Sequence, residues 1–67
     1  MRLRWQTVDK WRQERELTKA EFARRIGAPE STVYRGLKHN SKLQPTTVTV
    51  IRGIFPEKFD RNGELTP

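Results

Sequence analysis

Between Thr18 and Pro29, twelve residues carry a helix start, a helix stop and a second helix start, and few folds satisfy that spacing. Thr18-Lys19-Ala20-Glu21 fits a capping box. The Thr18 hydroxyl can accept from the Glu21 amide, and the Glu21 carboxylate can reach back to the Thr18 amide. Leu17 and Phe22 flank that cap as a hydrophobic staple. Phe22, Ala23 and Ile26 share one face, and Gly27 stops the helix because it tolerates positive φ. The spacing therefore predicts a short helix over 19–26. Pro29 suits the first position of the next helix, where a missing amide hydrogen costs nothing, and Glu30 complements the helix dipole. Val33 and Leu37 form the inner stripe of this helix, about 29–38. Ser31, Tyr34, Arg35 and Lys38 point the other way. Gly36 weakens the last turn, and His39-Asn40-Ser41 reads as loop.

The flanking segments are helical by the same spacing. Trp5, Val8 and Trp11 form the buried stripe of a first helix near Trp5–Glu16, with Arg4, Arg12 and Arg15 laying their stems along its flanks. Thr46 to Phe55 is ambiguous. Its β-branched run favours a strand, while Val48, Ile51 and Phe55 fit a helical stripe with Pro45 in the first turn and Pro56 at the end. A helix is expected, because an isolated strand would have no partner. The expected architecture is all-α: a small domain of four or five helices over 1–56, with a helix-turn-helix at its centre. A tail over 57–67 follows, with Asn62-Gly63 as a turn and little to hold it down, so disorder is expected there.

Composition narrows the chemistry. The 67 residues make one domain, and a chain this short hides only about 60% of its unfolded surface. It has no cysteine and one histidine, so neither disulfides nor a metal site is expected, and no cofactor or small-molecule ligand is evident. Arginines interrupt Met1–Trp5 and no apolar run follows, so a signal peptide and a membrane span are not expected. The net charge of +6 is uneven: residues 31–55 carry Arg35, Lys38, Lys42 and Arg52 with no acid. An acid-free basic segment suits a polyanion, although a basic face kept for solubility has the same composition.

Residues 18–37 resemble the helix-turn-helix of the lambda-repressor-like superfamily, which includes the Cro-type phage repressors. Thr18-Lys19-x-Glu21-Phe22-Ala23-x-x-x-Gly27 is similar to that family's Thr-Gln-x-Glu-Leu-Ala-x-x-x-Gly opening. Val8, Trp11 and Arg12 before Leu17 resemble the Cro-type first helix. Ser31-Thr32-Val33-x-Arg35, then Asn40, Lys42, Pro45 and Thr47, resemble the lac-repressor branch. The resemblance implies sequence-specific double-stranded DNA binding by a transcriptional regulator of the repressor kind. Such a protein would be cytoplasmic and nucleoid-associated in a bacterium or its phage, and would act as a homodimer on a pseudo-palindromic site. It implies base readout by Glu30, Ser31 and Arg35, with Tyr34 against a phosphate or a thymine methyl. Thr18, Lys19, Thr32, Lys38, Asn40 and Lys42 are the candidate phosphate contacts.

The chain departs from the pattern at several positions. Lys19 replaces the usual glutamine and Pro29 the frequent serine cap. Gly36 stands where an apolar residue is usual, with Leu37 as its substitute. Leu37 also occupies the place of a glutamate that pairs with the arginine matching Arg12, so Arg12 needs another partner or faces solvent. No lac-type hinge helix follows Phe55.

Each candidate also has a structural role available. Arg35 can pair with guanine or with Ser31; Glu30 can accept from cytosine or serve the helix dipole. Ser31 can touch a base or cap its own turn, and Tyr34 can pack over the second helix. Arg2 and Arg4 form either a groove-tracking arm or, as expected here, a frayed terminus. Trp5 and Trp11 are expected in the core rather than as stacking platforms. A protein-interaction module of antitoxin or adaptor kind is the alternative, and its mark would be an exposed apolar patch on Val48–Phe55. Enzymatic activity is not expected, since acid–base work needs convergent groups in a pocket.

Overall fold

The computed structural model describes residues 3–66. Four α-helices follow one another: α1 (Trp5–Glu14), α2 (Lys19–Ile26), α3 (Glu30–His39) and α4 (Pro45–Ile54), then a single 3₁₀ turn at Pro56–Lys58. The described residues form no strands, only isolated bridges between Arg4 and Lys42 and between Phe59 and Leu65. Helix α3 packs on α1 and α2, and α2 also packs on α4. Among the described residues, no helix is long and apolar enough to cross a membrane.

The expected apolar stripes meet in one core. Trp5, Val8 and Trp11 of α1, Phe22 and Ala23 of α2, Val33 of α3, and Ile51 and Phe55 around α4 are all buried, joined by Leu3 and Leu43. Among the described residues, no polar or charged residue lies inside. Phe22, Phe55, Ile51, Val8 and Val33 are wholly enclosed. Each side chain of this kind contributes about 1.5–3 kcal/mol of burial. Trp11 meets Phe55 at 5.7 Å between ring centroids, and Phe22 meets Phe55 at 6.3 Å. Ala23 is buried, and α2 packs on both α3 and α4.

The capping box of α2 forms in full, with Glu21 N donating to Thr18 Oγ1 at 3.1 Å and Thr18 N donating to Glu21 Oε1 at 2.9 Å. Gly27 caps the other end at φ 70°. Other boundaries differ from expectation. Helix α1 ends at Glu14, two residues early. Arg15 caps it, Glu16 turns left-handed at φ 56°, and Leu17 N donates back to Arg12 O. A glutamate at that position gives no sequence signal, because left-handed backbone is strained for any side chain but glycine's. Arg12 finds the partner it lacked: Nε reaches Asp9 Oδ1 at 2.7 Å and Nη1 donates to Leu17 O, bracing the turn.

Pro29 is the N-cap of α3, not its first helical residue, with ψ at 148°. The ring fixes φ but offers no oxygen to cap with, so the chain enters extended and turns helical at Glu30. His39 is helical, not loop, because Asn40 at φ 48° supplies the stop one residue later. The inner stripe of α3 is Val33 and Gly36, both buried, with Leu37 only half-buried. Gly36 is no weak point. A Cβ there would stand 2.5 Å from Trp5 ring atoms, so the bare backbone is what lets the indole lie on α3.

Both chain ends behave differently from the sequence reading. Arg4 is not frayed: it is half-buried, bridges to Lys42, and donates from Nη1 to Asn40 O at 3.0 Å. Arg2 lies outside the described residues. The segment after Pro56 is folded onto the domain rather than loose. Phe59 and Leu65 pack against the core, and the Phe59 and Trp11 rings meet in a T-shaped contact at 5.9 Å between centroids. Glu57 accepts two bonds from Arg15 at 2.8 Å, and Lys58 reaches Glu14 at 3.0 Å. The expected Asn62-Gly63 turn is present, with Gly63 at φ 79° and Asp60 Oδ1 accepting from Asn62 N and Glu64 N.

Candidate nucleic-acid interface

Helices α2 and α3 are joined by Gly27, Ala28 and Pro29, a connection short enough to hold them in contact. Because Val33 and Gly36 face the core, helical periodicity turns the rest of α3 outward. Glu30, Ser31, Thr32, Tyr34, Arg35 and Lys38 are all exposed, Tyr34 at 52%. Among the described residues, Ser31, Thr32, Arg35 and Lys38 make no side-chain hydrogen bond or ion pair. Arg35 does not pair with Ser31.

At the start of α2, the Lys19 ammonium lies 5.1 Å above the Tyr34 ring, a cation–π contact that joins the two helices on the outward side. Tyr34 is thus both exposed and packed against α2. The Thr18 hydroxyl accepts from Glu21 N and keeps its own hydrogen free to donate. The Glu21 carboxyl is held below its ordinary value, chiefly by the Thr18 backbone amide and then by the Thr18 side chain. It therefore stays ionised as a cap.

Beyond α3, Arg35 and Lys42 look across an open cleft of about 440 Å³ that Thr32, Gln44 and Thr47 also line, with Trp5 and Gly36 at its inner wall. The fold thus brings Thr32, Arg35 and Lys42 together, although Arg35 and Lys42 are seven residues apart in sequence. Gln44 and Ser41 line the same cleft, and nothing in their local sequence marks them. Arg24 and Arg25, exposed in the last turn of α2, are further cations that the sequence reading passed over.

Asn40 has a different setting from the other candidate phosphate contacts. Its Oδ1 accepts from Gln6 N at 3.2 Å, in the first turn of α1, where Arg4 provides no side-chain cap. Gln6 Nε2 donates to Leu37 O at 3.4 Å beside it. Asn40 therefore ties the end of α3 to the beginning of α1, with its carbonyl oxygen already engaged.

The apolar patch that would mark a protein-interaction module across Val48–Phe55 is mostly absent. Ile51 and Phe55 are buried, Val48 and Ile54 half-buried, and only Val50 is exposed among the large apolar side chains there, at 37%. Comparison with protein-family models, with curated proteins and with solved structures returns no match for this chain.

Proposed function

We propose that the protein binds double-stranded DNA sequence-specifically, as a transcriptional regulator of the lambda-repressor-like kind, with α3 lying in the major groove. One observation carries the reading: among the described residues, Ser31, Thr32, Arg35 and Lys38 on the outward side of α3 make no side-chain hydrogen bond or ion pair, whereas the three ion pairs lie on α1 and the C-terminal segment. A major groove about 12 Å wide accepts one helix, and Arg35 has the fork that fits guanine O6 and N7. Ser31 and Glu30 reach base edges from the N-terminal turn, and Tyr34 meets a phosphate or a thymine methyl. Thr18, Lys19, Thr32, Lys38 and Lys42 position the helix through phosphates and carry no sequence information. Asn40 acts mainly by holding α3 against α1. A single copy spans few base pairs, so two copies on a pseudo-palindrome, one helical turn apart, complete the site.

Selection from a random duplex library, followed by mobility shifts at two salt concentrations, tests the proposal. Three phosphate-bound cations predict a slope of log affinity against log salt of about −3 per monomer. A chain that enriches no sequence and binds no duplex at low salt refutes it.

A further inference from the structure

Two grooves open on the surface, and they use their polar side chains differently. The groove beside α4, of about 310 Å³, is lined by Leu43, Pro45, Val48, Thr49 and Arg52. Its polar groups are already engaged. Thr49 Oγ1 donates to Pro45 O at 3.1 Å, and the Arg52 guanidinium lies 5.8 Å from the centre of the Phe59 ring. The cleft between α3 and the start of α4 is the opposite case. Thr32, Arg35, Ser41, Lys42, Gln44 and Thr47 all line its 440 Å³. Among the described residues, none of these six side chains makes a hydrogen bond or an ion pair. No carboxylate lines the cleft, and none occurs anywhere in residues 31–55. Trp5, only 7% exposed, and the bare backbone of Gly36 close its inner wall.

The chemistry of that lining selects a ligand. Arg35 and Lys42 offer only donors and two permanent positive charges, and the three hydroxyls and the Gln44 amide can donate as well. Such a set fits an anion with several acceptor oxygens. A guanidinium takes two oxygens of one phosphate in parallel bonds, and an ammonium adds a point charge. The two cations come from different elements, α3 and the loop after it, which suits a ligand bearing more than one negative charge. The volume lies within the roughly 300–1,000 Å³ of small-ligand sites.

We propose that this cleft binds a free small molecule carrying a di- or triphosphate group. Arg35 and Lys42 grip the phosphates, and the hydroxyls of Thr32, Ser41 and Thr47 hydrogen-bond their oxygens. Composition alone points to no small ligand, because these residues meet only through tertiary packing. A regulatory consequence rests on the DNA reading given above. Arg35, Lys42 and Thr32 are also the groups assigned to the duplex, so ligand and duplex exclude one another, each weakening the other's binding by the same factor.

Titration of inorganic tripolyphosphate into the isotope-labelled full chain, without DNA or magnesium and at constant ionic strength, tests the site by NMR. The amides of Gly36, Ser41, Lys42, Gln44 and Thr47 should shift saturably, with a dissociation constant on the order of 0.1–1 mM. Arg35→Ala and Lys42→Ala should each weaken binding about fivefold. Thr47→Val should weaken it about threefold with the melting temperature unchanged, a split that a purely structural hydroxyl does not give. Lys10→Ala and Arg24→Ala remove the same charge from exposed positions elsewhere and should leave affinity unaltered. Shifts that never saturate overturn the proposal. So do losses from Lys10→Ala and Arg24→Ala as large as those from the cleft variants, since the binding would then be a diffuse ion atmosphere. In a second titration, tripolyphosphate should release the duplex chosen by selection; a duplex retained while the cleft is filled overturns the mutual exclusion. Duplex recognition without tripolyphosphate binding sinks the cleft proposal alone. Tripolyphosphate binding without affinity for any duplex sinks the DNA reading alone.

Discussion

The two sides of this molecule treat charge in opposite ways. On α1 and the C-terminal segment, Arg12 is matched to Asp9, Arg15 to Glu57 and Lys58 to Glu14, and Arg52 rests on Phe59. On α3 and the following loop, Arg35, Lys38 and Lys42 are exposed without a carboxylate. Surface ion pairs add little stability, about 0–1 kcal/mol each, so the pairing is not what holds the fold together. It leaves most of the first side's charges matched, while the second side is strongly cationic. Cations without carboxylate partners are disposed to bind an anion; cations already paired with carboxylates are less so.

The contrast can be broken where the two sides join. Gly36→Ala should cost about 3 kcal/mol, because the new methyl group must displace the Trp5 indole. Urea denaturation measures it, and a cost below about 1 kcal/mol would mean that α1 does not seat α3 as described. Phe59→Ala should remove about 2 kcal/mol, less than a fully enclosed phenylalanine since Phe59 is half-buried. An unaltered thermal melt would return the segment after Pro56 to the loose tail the sequence suggested.

Arg35→Ala sharpens the contrast from the other side. It should reduce affinity for the selected site by about 1.5 kcal/mol and relax preference at one base pair, with no change in folding stability. Lys38→Ala, in comparison, should weaken all duplexes alike. If both variants lose affinity without regard to sequence, the division between base-reading and phosphate-binding residues fails.

Acid should act more weakly. Burial alone would raise the Asp9 carboxyl, but hydrogen bonds from Arg12 and Gln13 and the Arg12 charge bring it below its ordinary 3.8. Glu21 and Glu57 lie below 4.5, Glu57 through its own backbone amide and then Arg15. Carboxyls with lowered values bind fewer protons folded than unfolded. Their stabilisation is complete above 4.5 and fades as pH drops through 4.5 and 3.8 and then through the lower folded values. Carbon-detected NMR titration should place all three midpoints under the ordinary values. The smallest effect belongs to Glu57→Gln, which should barely move the melting temperature and leave DNA affinity untouched.

What the sequence made legible was local. Thr18, Glu21 and Gly27 specify α2 to the residue, because capping and left-handed turns are decided within four or five positions. The outward set on α3 followed from Val33 and helical periodicity. Gly36 was read as a flaw because its reason, the Trp5 ring, lies 31 residues away in sequence. The end of α1 was hidden by a glutamate in a conformation usually given to glycine. The docked C-terminus depends on Trp11, Arg15 and Glu14 meeting residues more than 40 positions later, and no local pattern encodes that. In the candidate site, Arg35 and Lys42 were found singly. That they share one cleft with Thr47 and Gln44 is a product of tertiary packing.

Asn40 joins the last turn of α3 to the first turn of α1 through one side chain and one carbonyl. Fraying of the third helix therefore also uncaps the first, which couples local melting to the opening of the whole domain. The amides of Gln6 and Ser41 should then exchange with solvent deuterium at nearly the same rate, through a shared cooperative event. A protein so linked would meet any ligand with α3 either fully formed or not formed at all.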